Sequence, residues 1–234
     1  MGDNKKKKQK SSSHFTDRDG EVILSVGKFG VLSTQQILKL HFSTKTGYYS
    51  FQRRLEKQLK NYLEGPIYFN VQKGGKKIPL YCLNNEGKKK YEDMIKREYE
   101  KPRLRTKHIP RILKRNDFLI KFCPQDFYLQ YKLKNTVIPI YGIVKDKKKI
   151  GKVAIEIDLG IEPKKYVRDR KEQYERLFRN EGEPKIILFA SYRKQQIKQW
   201  LEEMLEPTLE LRLWTTDLEN PDIVSIKKNI LIYS

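Results

Sequence analysis

Two carboxylates, Glu156 and Asp158, stand two residues apart in an apolar run and are the side chains of this sequence best spaced for chemistry. A strand over residues 152–159 places both on one face, about 7 Å apart. The helix predicted next, over residues 163–178, carries Lys171 on or near its inner side, so that a cation faces the pair. Two hard oxygen ligands beside a lysine are typical of a site for a divalent metal such as Mg²⁺ and a phosphate.

The same spacing also has a purely structural explanation. Pairing with Lys171 or with the neighbouring Arg170 would neutralise Glu156 and Asp158 at the end of a sheet, with no reaction. Spacing alone favours this interpretation. A metal-dependent nickase or nuclease that uses Glu156, Asp158 and Lys171 is the enzymatic alternative, and Mg²⁺ is its only candidate cofactor.

A second group of residues suits binding rather than catalysis. A helix predicted over residues 46–63 carries apolar side chains at spacings of three and four, which would anchor one side of it: Tyr48, Phe51, Leu55, Leu59 and Tyr62. Its other side carries donors that could read a DNA major groove: Tyr49, Ser50, Arg53, Arg54, Lys57 and Lys60. The hairpin predicted next adds Lys73, Lys76 and Lys77, which could contact phosphates. A solvated amphipathic helix has a similar outer side, but the scarcity of acidic residues favours DNA.

The elements around this helix predict a winged helix over residues 15–100. Thr16 with Asp19, and Ser33 with Gln36, have the spacing of capping boxes and predict two preceding helices. Two β-rich runs, residues 67–73 and 76–83, flank Gly74-Gly75 and predict the hairpin. A further helix is expected over residues 85–99. Residues 1–14 are predicted to be a disordered basic tail, and the charged segment 101–107 is the predicted linker.

Residues 108–234 are predicted to form a second, mixed domain with the order αβββαβαβ, which places the chain in the α+β or α/β class. The predicted helices cover residues 107–122, 163–178 and 193–205. The predicted strands cover residues 126–133, 137–144, 152–159, 185–190 and 209–215. Residues 223–232 are expected to add an edge hairpin.

Composition restricts the partners. The chain has 50 Lys and Arg against 29 Asp and Glu, a formal net charge of +21, so a polyanion is the first partner to consider. Hydrophobic residues make up 38%, which is too many for a disordered polycation. Cys82 and Cys123 have neither disulfide nor zinc-ligand spacing. No apolar run has the roughly 18 residues of a membrane span, so we expect no membrane partner and a cytoplasmic location.

The chain resembles the replication-relaxation family of bacterial plasmids, phages and integrative elements over about residues 16–215. The resemblance is carried by Leu32-Ser33-Thr34-Gln35-Gln36-Ile37 with Phe42, Arg53-Arg54-Leu55, Tyr81-Cys82-Leu83 before Glu86-Gly87, His108, and Ile155-Glu156-Ile157-Asp158-Leu159-Gly160. It implies an N-terminal winged helix joined to a domain like that of restriction endonucleases. It also implies a role in replication or DNA relaxation of a mobile element.

Two departures from that family's nuclease pattern predict a degenerate catalytic site. Active enzymes of that fold carry an Asp on the second strand and Glu-x-Lys on the third. Here Pro139-Ile140-Tyr141-Gly142 stands where a Pro-Asp is expected, and Asp158 takes the place of the Lys. The missing carboxylate could come only from Asp126 or Asp146, if one of these side chains turned toward Glu156 and Asp158.

The sequence therefore favours a non-enzymatic protein of a bacterial mobile element that binds double-stranded DNA. It would act in plasmid or phage replication, relaxation or transfer, in association with the nucleoid or a plasmid. An adaptor that recruits a replication or conjugation protein to DNA is a further alternative, and a homodimer is left open.

Overall fold

The computed structural model describes residues 14–42, 46–70, 77–96, 99, 108–122, 126–146, 149–182, 185–204 and 212–232. In this part of the chain there are eight α-helices and two sheets, so the predicted mixed class is confirmed. The chain divides into two compact units, residues 1–103 and 104–234.

The first unit consists of four helices and a three-stranded antiparallel sheet. Its elements are α1 (Asp17–Phe29), β1 (Leu32–Ser33), α2 (Thr34–His41), α3 (Gly47–Lys57), a 3-10 turn (Leu59–Asn61), β2 (Leu63–Asn70), β3 (Lys77–Leu83) and α4 (Asn85–Ile95). The strands lie in the order β1-β3-β2, so the short strand between α1 and α2 pairs with the hairpin.

Local capping chemistry explains where the first two helices begin. Both predicted capping boxes are present, Thr16 with Asp19 at α1 and Ser33 with Gln36 at α2. Each satisfies backbone N–H groups that a helix start leaves without partners. Gly30, with φ of 81°, follows α1 in a conformation that glycine adopts without steric cost.

The helix predicted over residues 46–63 is shorter in the structure. It ends at Lys57, where Gln58 leaves the helical conformation (φ −131°), and the chain then makes the 3-10 turn and enters β2 at Leu63. Pairing with Leu83 and burial of the Leu63 side chain favour the strand there. Gly65-Pro66, which follows the end of the predicted helix, lies inside β2, where the register with β3 shifts between Glu64 and Ile67.

The second unit consists of a five-stranded mixed sheet and four helices. Its elements are α5 (Ile109–Phe122), β4 (Asp126–Leu133), β5 (Thr136–Asp146), β6 (Lys149–Asp158), α6 (Lys164–Glu181), β7 (Ile186–Ser191), α7 (Lys194–Glu202), β8 (Arg212–Asp217) and α8 (Ile223–Ile232). The strands lie in sequence order from β4 to β8. The β4-β5 and β5-β6 pairs are antiparallel, and the β6-β7 and β7-β8 pairs are parallel.

The central strand β6 carries the acid pair and is buried. Residues 153–158 are all buried, as expected for a strand covered on both faces. Ala154 lies in a core cluster with Val167 and Tyr174 of α6 and Ile197 of α7. Since alternate residues of a strand share a face, Glu156 and Asp158 lie on this same side of the sheet.

The edge hairpin predicted over residues 223–232 is wrong, because these residues form α8. Ile226 and Ile230 are four residues apart and both buried, and α8 packs against β5 and β6. Asp222 accepts a hydrogen bond from the backbone N–H of Ser225 (3.0 Å), as a helix N-cap does. The spacing of these two buried isoleucines is that of one side of a helix.

Candidate functional site

Helix α3 is anchored by one buried aromatic side chain. Phe51 is fully buried and packs edge-on against Phe42 (5.7 Å between ring centroids) and against Tyr81 of β3 (5.5 Å). This contact holds α3 against the sheet and leaves the opposite side of the helix open to solvent.

The open side of α3 carries an aromatic and two basic side chains. Tyr49 is 75% exposed, and Arg53 and Lys57 follow at intervals of four residues, both exposed. We call these three residues the α3 strip. Residues four apart lie on the same side of a helix, so the α3 strip is continuous over two turns. Glu56 is also exposed and adjoins it.

The other predicted DNA contacts differ in position and exposure. Ser50 is half-buried beside the α3 strip. Lys60 is exposed but lies in the 3-10 turn after α3, and Lys77 is exposed at the start of β3. Lys73 and Lys76 lie outside the described residues. Tyr48, expected on the apolar side, is 51% exposed and adjoins Tyr49 (6.0 Å between ring centroids).

Arg54 has a structural partner that the sequence prediction missed. Its Nε donates to Oδ1 of Asp19 (2.8 Å), and its Nη2 donates to the same carboxylate and to the backbone oxygen of His14 (3.2 Å). Burial acts to raise the pKa of Asp19, but the hydrogen bonds from Arg54 and Thr16 outweigh it and lower that pKa. Arg54 therefore ties α3 to the start of α1 instead of facing a groove.

In the second unit, Glu156 is buried and held by three residues of α6. Arg170 donates through Nε to Oε1 (2.7 Å), Tyr174 donates through its hydroxyl to Oε1 (2.6 Å), and Tyr166 donates to Oε2 (3.2 Å). Tyr166, Arg170 and Tyr174 are four residues apart, so they form one side of α6. The sequence contains this spacing, but the spacing alone does not separate Arg170 from Lys171 as the partner of Glu156.

Asp158 is held by a different set of donors, at the carboxyl ends of β6 and β7. Oδ2 accepts from the Ser191 hydroxyl (2.5 Å) and from Nε of Arg193 (3.1 Å), and Oδ1 accepts from the backbone N–H groups of Gly160 (3.0 Å) and Glu162 (3.3 Å). Burial acts to raise the pKa of this carboxyl, but the hydrogen bonds from Ser191 and Arg193 outweigh it and the pKa is lowered.

The structure does not place Lys171 against the acid pair. Lys171 is buried, but its ammonium donates to Glu175, one turn further along α6. The predicted clustering of Glu156, Asp158 and Lys171 is therefore wrong for the lysine. The helix turns the neighbouring residue, Arg170, toward Glu156 instead, as the structural interpretation of the spacing allowed.

These contacts leave the acid pair poorly suited to Mg²⁺. A metal at Glu156 or Asp158 would compete with a guanidinium group already bound to that carboxylate. Across from β6, Tyr141 stands opposite Ala154 and supplies no carboxylate. Asp126 and Asp146 stand opposite Ile143 and Lys149, toward the other end of the strands, so the sheet register does not bring either backbone near Glu156. The described residues contain no group of three or more His, Cys, Asp or Glu suited to holding a metal ion.

No family model matches this chain, and comparisons with curated proteins and with solved structures give no significant match either. Any functional assignment therefore depends on the residues and their geometry. In the described part of the chain, every helix is too short or too polar to cross a membrane.

Proposed function

We propose that the first unit is a winged helix that binds double-stranded DNA by inserting α3 into the major groove. The observation that carries this proposal is the α3 strip, which presents Tyr49, Arg53 and Lys57 to solvent on a helix anchored from behind by Phe51. Arginine and lysine side chains on one side of a helix can contact base edges and phosphates together.

The order of elements around α3 supports the same proposal. A helix, a short strand, two further helices and a hairpin follow one another, and the sheet order β1-β3-β2 joins the hairpin to the short strand. A recognition helix followed by a hairpin is the layout of winged helices, in which the hairpin contacts the DNA backbone beside the groove. Lys77 is exposed at the start of β3 and is available for such a contact.

The charge of the whole chain supports a polyanionic partner. A formal net charge of +21 attracts the negatively charged DNA. Each lysine or arginine that binds a DNA phosphate also releases condensed counterions from the DNA, which favours binding. We propose an intracellular location on DNA and, following the family resemblance, a step in replication, relaxation or transfer of a mobile element.

For the second unit we propose a restriction-endonuclease-like domain that has lost its catalytic site. Three antiparallel strands that continue into parallel strands, with helices packed on the sheet, support this fold. The engagement of Glu156 by Arg170 and of Asp158 by Arg193 supports a structural role for both carboxylates.

A pair of double variants tests DNA binding by α3. In a fluorescence anisotropy titration with duplex DNA, R53A/K57A should weaken binding about tenfold or more, and its logarithmic salt slope should fall by about 2. K88A/K89A is the matched control, since it also removes two lysine or arginine charges, but from α4, where Lys88 and Lys89 pair with Glu92 and Glu86. Equal weakening by the two double variants would show that only net charge matters and would reject α3 as the recognition helix.

A further inference from the structure

The second unit contains a cavity of about 300 Å³ to which neither the DNA-binding proposal nor the acid pair assigns a role. It is lined by residues of α5, β4, β5, β6 and α6, all within the second unit. This volume lies at the lower end of the range for small-molecule sites, enough for one ring and one charged group.

One wall of the cavity is basic. Arg111 and Arg115 are four residues apart, so they share one side of α5, and His108 lies immediately before this helix. Arg111 is held in place, because Nη1 donates to Oε1 of Glu162 (2.7 Å) and Nη2 donates to the backbone oxygen of Ile157 (2.9 Å). The wall therefore offers guanidinium groups in a fixed position.

Arg115 lies deeper in this wall. Its Nε and Nη2 both donate to the side-chain oxygen of Asn116 (3.0 and 2.8 Å). Burial lowers the pKa of Arg115 to about 10, which shows that the surroundings disfavour its positive charge. An anion in the cavity would offset that cost.

The remaining walls provide apolar and hydrogen-bonding surface. Ile140 and Ile157 of the sheet line the cavity, and so does Tyr166, whose hydroxyl donates to Glu156. Gln130 lies at the exposed rim with φ of 52°, a left-handed conformation that is uncommon for a residue other than glycine. Backbone strain of this kind tends to occur at binding sites. It places an amide at the cavity.

We propose that this cavity binds a phosphate monoester that carries one ring system, of the size of a mononucleotide. The phosphate would accept charge-assisted hydrogen bonds from Arg111 and Arg115, whose guanidinium groups line the cavity. The ring would pack against Tyr166, and the Gln130 amide would contact its polar edge. Such a group occurs both in free nucleotides and at the phosphorylated end of a DNA strand.

Calorimetric titration of the full chain tests this site with three probes. Thymidine 5′-monophosphate should bind with a Kd below about 1 mM, thymidine should give no measurable binding, and inorganic phosphate should bind at least about tenfold more weakly than the nucleotide. R115Q and Q130E should each weaken nucleotide binding about tenfold or more. K114Q, which removes a charge from the same helix at a residue paired with Glu219, should leave the Kd within about twofold.

Several outcomes would overturn the proposal. These are equal affinity for thymidine and its monophosphate, no binding of the monophosphate at about 5 mM, or a Kd that Q130E leaves unchanged. Gln130 is exposed, so Q130E tests the site even if R115Q fails to fold. A competition experiment distinguishes a free nucleotide from a DNA end as the ligand: short single-stranded DNA is used to displace bound thymidine 5′-monophosphate. A DNA end is the ligand if a 5′-phosphorylated strand displaces it at about tenfold lower concentration than a 5′-hydroxyl strand, and a free nucleotide is the ligand if the two strands are equivalent.

Discussion

Three buried carboxylates of this protein, Asp19, Glu156 and Asp158, are each bound by an arginine from another element. The planar guanidinium presents several donors in a fixed geometry, which suits a carboxylate better than a lysine ammonium does. Removing one member of such a pair leaves an uncompensated charge in a poorly solvated position. Arg54, Arg170 and Arg193 therefore contribute to the stability of the fold. The basic composition of the chain alone would have suggested that they contact nucleic acid.

Arg54 provides the first prediction. R54A should lower the free energy of unfolding of the first unit by about 3 kcal/mol, because Asp19 would stay buried without its cation. R53A, one residue away and exposed, should change it by less than about 0.5 kcal/mol. Urea unfolding of both variants measures the difference. If R54A had unchanged stability and bound DNA more weakly, Arg54 would be a DNA contact and not a structural residue.

Glu156 provides the second prediction. E156Q should lower the free energy of unfolding by about 3 kcal/mol, because Arg170 is itself largely buried and would lose its carboxylate partner. E202Q is the control, since Glu202 pairs with Lys198 at the surface and should matter by less than about 0.5 kcal/mol. Urea unfolding measures both changes.

The same variant distinguishes a structural from a catalytic Glu156. Supercoiled plasmid incubated with the protein and Mg²⁺ should show no nicking above a protein-free control. Nicking that requires Mg²⁺ and disappears in E156Q, at a temperature where that variant is folded, would contradict a degenerate site and establish the nuclease alternative.

At the scale of elements, α3 combines a buried and an open side within eleven residues. The buried side depends on Phe51, and the open side is the α3 strip. Glu56 is the one acidic residue among those described in α3, and it is exposed next to Arg53 and Lys57. A carboxylate in this position repels phosphates, so it moderates any affinity that the basic residues supply.

Glu56 gives the third prediction. E56Q should tighten duplex DNA binding about threefold, because it removes a negative charge from the surface proposed to face the phosphates. E86Q, the same change at an exposed position on α4, should leave the affinity within experimental error. Anisotropy titrations at two salt concentrations measure both variants. An equal gain in the two would assign the effect to net charge.

At the scale of the whole molecule, the chain combines two compact units with a large positive charge. Each unit has its own sheet and its own buried residues, so we expect each unit to fold independently. Residues 101–107, which lie outside the described residues, hold four basic side chains and Pro102 near the boundary between the units.

Limited proteolysis gives the fourth prediction. Apart from cuts in the basic tail of residues 1–14, brief trypsin treatment should cut first near residues 101–107, because trypsin cleaves after Lys and Arg and because few apolar residues are present there to pack. Two fragments that each unfold cooperatively should result. Mass spectrometry and thermal unfolding of the fragments measure this. Resistance at this segment, with a single unfolding transition for the intact chain, would contradict independent units.

The sequence by itself determined the features that depend on neighbouring residues. The capping boxes at Thr16 and Ser33 predicted where α1 and α2 begin, since a cap joins residues three apart. Alternation predicted that Glu156 and Asp158 share one face of a strand. The mixed class and most elements followed from the same local periodicities.

Only the tertiary structure decided which distant groups meet. Lys171 and Arg170 were equally good partners for Glu156 by spacing, and the folded structure places Arg170 on Glu156 and Lys171 on Glu175. Arg193, which binds Asp158, lies 35 residues away in the chain, and no local pattern could connect them. Residues 223–232 suit a strand or a helix by composition, and packing against β5 and β6 favours the helix. These outcomes depend on the packing of whole elements. A contact between distant residues forms only when the intervening chain has been ordered, which costs conformational entropy, so the residues next to either partner do not determine it.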